Sequence, residues 1–133
     1  GGAPSVRMLC LEPTRELAMQ TEEVCAAAGK ACGIASVCIY GGVPKGPQTG
    51  ALKRGAQVVI ATPGRLLDLY QNDGAVDLSR LEYLVLDEAR PRDGERWGRY
   101  GRYGEVGGEV GGDMGRYGER VARSPAPLQL HLL

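Results

Sequence analysis

Four apolar runs recur along the first ninety residues, each followed by a polar or glycine-rich turn and a segment of helical period. They are Val6 to Leu11, Ile34 to Tyr40, Gln57 to Ala61 and Leu81 to Leu86. Short runs with little alternation of polar and apolar positions read as strands buried on both faces. Between the first two, a helix is expected to open at Pro13-Thr14 and reach about Lys30. Thr14 can cap it, Glu16 sits in its first turn, and Leu17, Val24 and Ala28 supply the expected apolar stripe. Gly33 closes that unit, and residues 47–55 read as a shorter helix stopped by Gly55. Thr62-Pro63-Gly64 leads into an amphipathic helix through about Gln71, and Asn72-Asp73-Gly74 turns the chain toward the fourth strand. Strands alternating with helices imply right-handed crossovers and a parallel α/β sheet.

That topology has a chemical consequence. Pro13-Thr14-Arg15, Gly41-Gly42, Thr62-Pro63-Gly64-Arg65 and Asp87-Glu88 each follow a strand, so all emerge along the carboxyl edge of the sheet, where open α/β folds bind ligands. Polar, glycine-rich turns leading into helices form a natural phosphate-binding surface. At the end of the fourth run, one carboxylate of Asp87-Glu88 can hold Mg²⁺ through oxygen, and its neighbour can orient or deprotonate a water. Each residue also has a plainer reading. Taken alone, the acidic pair reads first as the solvated start of a loop, and bare Arg15 and Arg65 as helix-surface charges; the surrounding pattern reverses that order. Lys45, Lys53 and Arg54 read as a solvated face, and Tyr40 and Tyr83 as core.

Composition narrows the choice. The formal net charge is zero, so bulk electrostatics favours neither nucleic acid nor membrane, and any RNA contact must be local. Cys10, Cys25, Cys32 and Cys38 show no metal-ligand spacing and are expected to be free thiols in a reducing compartment. No apolar run approaches the roughly 20 residues of a membrane span. Residues 91–133 contain 10 of the 21 glycines, with Gly-Arg-Tyr-Gly at 98–101, 101–104 and 115–118. Little apolar periodicity is left there to offset ordering entropy, so disorder is expected. The chain thus divides into residues 1–90 and a low-complexity tail, 91–133.

The motifs of the first part, taken together and in order, resemble those of the DEAD-box ATP-dependent RNA helicases. Pro13-Thr14-Arg15-Glu16-Leu17-Ala18 is similar to their motif Ia, Gly41-Gly42 to the GG motif, Thr62-Pro63-Gly64-Arg65 to motif Ib, and Val85-Leu86-Asp87-Glu88-Ala89 to motif II. The resemblance covers about residues 5–89. It implies part of the first of two RecA-like (P-loop NTPase-type) domains, which close on ATP-Mg²⁺ and RNA. Motifs Ia, GG and Ib would hold RNA phosphates, single-stranded or duplex, largely without reading sequence. Asp87 would coordinate Mg²⁺ and Glu88 would position the hydrolytic water. Ile39 to Gln48 and Val76-Asp77-Leu78-Ser79 are similar to the branch associated with nuclear RNA remodelling and ribosome assembly, so a nuclear or nucleolar location is expected, otherwise a cytoplasmic one.

The departures from the family pattern are equally specific. No Gly-x-x-x-x-Gly-Lys-Thr occurs in the 133 residues, so the loop that cradles ATP phosphates is missing, as in a fragment truncated at its start. Motif II continues Ala89-Arg90 rather than to a second Asp. The pattern stops after Ala89, as a frameshift, a retained intron or a misjoined gene end would make it. On this reading the fourth strand is left on an open edge, and the isolated chain binds RNA without turning over ATP, or has no function.

Overall fold

The computed structural model describes residues 5–87 and the strand at 129–132. In chain order the elements are β1 (Met8–Leu11), α1 (Arg15–Cys32), β2 (Ser36–Ile39), α2 (Gly46–Lys53), β3 (Val58–Ala61), α3 (Pro63–Leu67), β4 (Tyr83–Leu86) and β5 (Gln129–Leu132). The π-helical turn Asp68–Asn72 continues α3 directly. All strand pairings are parallel, in the order β2-β3-β1-β4-β5. The expected partial RecA-like α/β sheet is therefore present, with each strand shorter than its apolar run.

The sheet is covered on both faces, which explains why its strands read as continuous apolar runs. On one face Leu9, Leu11, Ile39, Val59, Ala61 and Leu86 pack with Leu66 and Leu69 of the α3 region and with Val76, Leu78 and Leu81. On the other, Cys10, Ile60 and Val85 meet Ala18 of α1, flanked by Met8, Cys25, Cys38 and Val58.

Three expectations need correction. The buried face of α1 is Ala18 and Gly29 with half-buried Thr21, Glu22 and Cys25, whereas Val24 is 70 % exposed and Ala28 is also exposed. The helix is turned by about one residue, roughly 100°, from the expected stripe. The inward face carries small or polar side chains, with Ala18 packed on Cys10, Ile60 and Val85. The second correction concerns the edge. β5 pairs with β4 over Tyr83↔Gln129 to Leu86↔Leu132, so the fourth strand is not open and these four residues of the tail are a strand. The rest of the expected disorder lies outside the described residues. Tyr83, read as core, is 38 % exposed.

Gly29 marks a close approach between α1 and the segment that leads into β2. A Cβ there would run into the carbonyl oxygen of Ile34, whose own amide donates to the Gly29 carbonyl at 3.0 Å. Alanine is the better helix former by about 1 kcal/mol, but forcing a backbone apart costs about 1–3 kcal/mol. Gly29→Ala is therefore expected to lower the melting temperature of the chain. An unchanged or raised melting temperature would contradict the close approach.

Candidate nucleic-acid interface

The site is built on the register of the ladder. Beyond the last strand pairs, the amide of Thr62 donates to the Ile39 carbonyl (2.9 Å), that of Glu12 to Ala61 (2.9 Å) and that of Asp87 to Leu11 (3.1 Å). The ladder thus runs one residue past the strands and sets Tyr40, Thr62, Glu12 and Asp87 side by side along the carboxyl edge.

On the β2 side of that edge the expected contact residues come together. Thr14 caps α1 in extended conformation, its Oγ1 accepting from the Leu17 amide at 3.2 Å. The next residue, Arg15, holds its guanidinium over the Tyr40 ring, 5.8 Å from the centroid, a cation–π arrangement. Gly42 sits in the left-handed region at φ 83°, and a Cβ there would lie 3.4 Å from an Arg15 terminal nitrogen. The motif at 13–15 and the turn at 41–42 therefore form one surface. Tyr40, expected in the core, is half-buried and is the platform for Arg15.

Arg65 joins the third turn to the second. Its guanidinium donates to the Val43 carbonyl at 2.8 Å and to Gln48 Oε1 at 3.2 Å, while buried Gln48 donates to the Tyr40 carbonyl at 3.0 Å. Arg65 is thus a brace for the glycine turn, with only part of its five-donor fork spent on it. Thr62 makes no side-chain cap bond to α3, which leaves its hydroxyl available, and Gly41 and Gly64 are exposed. Pro13 and Pro63 are half-buried and fix the chain at the starts of the two turns. Lys45, read as part of a solvated face, is instead paired with Asp68 at 2.7 Å and Asp73 at 3.4 Å.

On the β4 side the edge is acidic. Asp87 is half-buried, whereas Glu88 lies outside the described residues. Beside Asp87 stands a residue that sequence reasoning missed. Glu12 is completely buried. Its Oε1 accepts from the Thr21 hydroxyl at 2.6 Å and faces the Cys10 thiol at 3.5 Å, while no described donor reaches its buried Oε2. The ladder sets its carboxyl beside that of Asp87, and the two groups interact. Burial first, and then Asp87, pushes Glu12 up to about 7, with the Thr21 and Cys10 donors working the other way. A signal was present: Leu9-Cys10-Leu11-Glu12 and Leu84-Val85-Leu86-Asp87 end alike. Only the strand order shows that the two ends are neighbours.

Several comparisons bear on this arrangement. The family model described as DEAD/DEAH box helicase matches residues 2–99. The chain belongs to that family. The match runs ten residues past Ala89, where the motif-level resemblance stops. The chain is 60 % identical over 84 residues to ATP-dependent RNA helicase DBP3 of Meyerozyma guilliermondii, covering 63 % of this chain and 15 % of that protein. It is 54 % identical over 89 residues to ATP-dependent RNA helicase DBP2 of Chaetomium globosum, covering 67 % and 15 %. It is 54 % identical over 83 residues to DEAD-box ATP-dependent RNA helicase 5 of Oryza sativa subsp. japonica, covering 62 % and 16 %. The chain thus spans about one sixth of the length of these curated relatives. The fold is similar to the crystal structure of the yeast DEAD-box splicing factor Prp28, with a TM-score of 0.74 at 23 % identity, over 97 % of this chain and 27 % of that one.

The buried carboxyl gives a pH test. The folded-state value of Glu12 lies above its ordinary 4.5, so between about 4.5 and 7 the folded chain holds a proton that the unfolded chain has released. The contribution is fully present below about 4.5 and is lost as pH rises through 7. Relative to Glu12→Gln, the unaltered chain is therefore expected to lose thermal stability across that window. Parallel melting profiles from pH 4 to 8 for the two proteins would contradict the assignment.

Proposed function

We propose that this chain supplies the RNA-holding edge and the cation-side carboxylate of the first RecA-like domain of an ATP-dependent RNA helicase. The observation that carries the reading is the single surface made by Arg15 over Tyr40, the Gly41-Gly42 turn beneath it, and Thr62 to Arg65 braced against that turn. It offers guanidinium, hydroxyl and backbone N–H donors with little side-chain bulk at the glycines. Such donors suit the sugar-phosphate chain and read no bases. Thr14, Arg15, Thr62 and Arg65 would hold successive phosphates, with Gly42 and Gly64 letting the strand approach the backbone.

The acidic half of the edge fits a hard cation, since an orphaned, buried carboxylate oxygen of Glu12 lies beside Asp87. Asp87 would hold Mg²⁺ and Glu88 would orient a water. When bound, ATP-Mg²⁺ supplies the phosphoryl group and neutralises its developing charge. Because the 133 residues contain no phosphate-cradling loop, the isolated chain is expected to bind RNA without hydrolysing ATP. That same observation favours a second reading, a non-enzymatic RNA-binding fragment.

Fluorescence anisotropy with labelled oligouridine tests the surface. Arg15→Ala is expected to weaken binding about five-fold and to reduce the magnitude of the salt slope by about 0.7, as one phosphate contact is lost. Arg65→Ala should weaken it more, because the glycine turn also loses its brace. Binding unchanged in both variants would overturn the proposed interface. ATP hydrolysis by the chain, abolished in Glu88→Gln, would overturn its inactivity.

A further inference from the structure

We infer that Glu12 is a second protein ligand for the divalent cation at Asp87, so that one cation is gripped between the ends of β1 and β4. The inference rests on the proposed role of Asp87 and extends it to a residue outside the motifs discussed above.

Three observations lead to it. The ladder places Glu12 and Asp87 as lateral neighbours, with the Asp87 amide bonded to the Leu11 carbonyl just before Glu12. Glu12 is completely buried, where a carboxylate is tolerated only with a compensating partner. Its two oxygens are treated unequally. Oε1 is anchored by the Thr21 hydroxyl of α1 and by the Cys10 thiol, and Oε2 is buried with no described donor, on a carboxyl that meets Asp87. A carboxylate pinned through one oxygen, with the other left bare beside a second carboxylate, is organised to receive a positive charge. A hard dication bound through two carboxylate oxygens, with waters and phosphate oxygens completing its shell, matches that donor set. Without a cation, a proton shared with Asp87 is what relieves the pair among the described residues, since Asp87 brings no donor of its own when ionised.

A structural role for Glu12 makes the opposite forecast from a ligand role. In Glu12→Gln the amide oxygen keeps the Thr21 bond, and the amide NH₂ can donate to Asp87. A residue that merely orients Asp87 would therefore be replaced without loss.

The test is Mn²⁺ binding to the full 133-residue chain, followed by electron paramagnetic resonance without nucleotide, with circular dichroism confirming that each variant is folded. The unaltered chain is expected to bind one Mn²⁺ that Mg²⁺ displaces. Glu12→Gln and Asp87→Asn should each weaken it at least about ten-fold. Equal or tighter binding by Glu12→Gln, with loss in Asp87→Asn, would overturn the inference and leave the role of Asp87 standing. Loss in Glu12→Gln alone would overturn the role given to Asp87. An unaltered chain that binds no Mn²⁺ would overturn both.

Discussion

The in-register parallel ladder is the constraint on which the rest depends. Met8, Ser36, Val58 and Tyr83 start their strands at one level, and Leu11, Ile39, Ala61 and Leu86 end at another. Every connection that leaves the carboxyl end therefore begins at the same height. Parallel pairing also requires each return to pass over a face of the sheet, which sends α1 to one side and α2 and α3 to the other. The site needs no further long-range design: the register brings four turns together from distant parts of the chain. A slip of one residue in β1 would turn Glu12 and Cys10 to the opposite face and separate Arg15 from Tyr40.

Charge is segregated along that edge, although the formal net charge of the chain is zero. Arg15 and Arg65 gather around the glycine turn between β2 and β3, and Glu12 and Asp87 face each other between β1 and β4. The two arginines are held differently. Arg15 rests on an aromatic face and stays exposed, so its donors point outward. Arg65 spends part of its fork on the Val43 carbonyl and Gln48, which stiffens the turn against which RNA would lie. Within the acidic pair, Glu12 is held by Thr21 and Cys10, whereas Asp87 is half-buried.

Where the chain is buried on both faces, the sequence was readable. Leu-Cys-Leu, Val-Val-Ile-Ala and Leu-Val-Leu have no solvent face to disguise, and their order with the intervening helices sufficed for the parallel sheet. Helix α1 departs from the expected stripe because its core face is built of small or polar residues, among them Ala18, Thr21, Cys25 and Gly29. Two of its larger apolar side chains, Met19 and Val24, are exposed. Tyr40 looked like core because it ends an apolar run, and a strand end belongs to the core and to the site together. Glu12 and Gln48 were invisible for another reason: each is polar, and only packing reveals that it is buried. The pairing of β5 with β4 joins segments with no shared local signal, so no reading of either alone could supply it.

The central claim is that the carboxyl edge between β2 and β1 is where RNA lies. Backbone amide chemical shifts of the ¹⁵N-labelled chain, followed as oligouridine is added, test it directly. The account predicts that the largest changes fall on Arg15, Gly41, Gly42, Thr62 and Gly64, in one concerted titration. Changes centred instead on Met19 and Val24 of α1, or on Lys53 and Arg54 at the end of α2, with the edge amides unmoved, would contradict it.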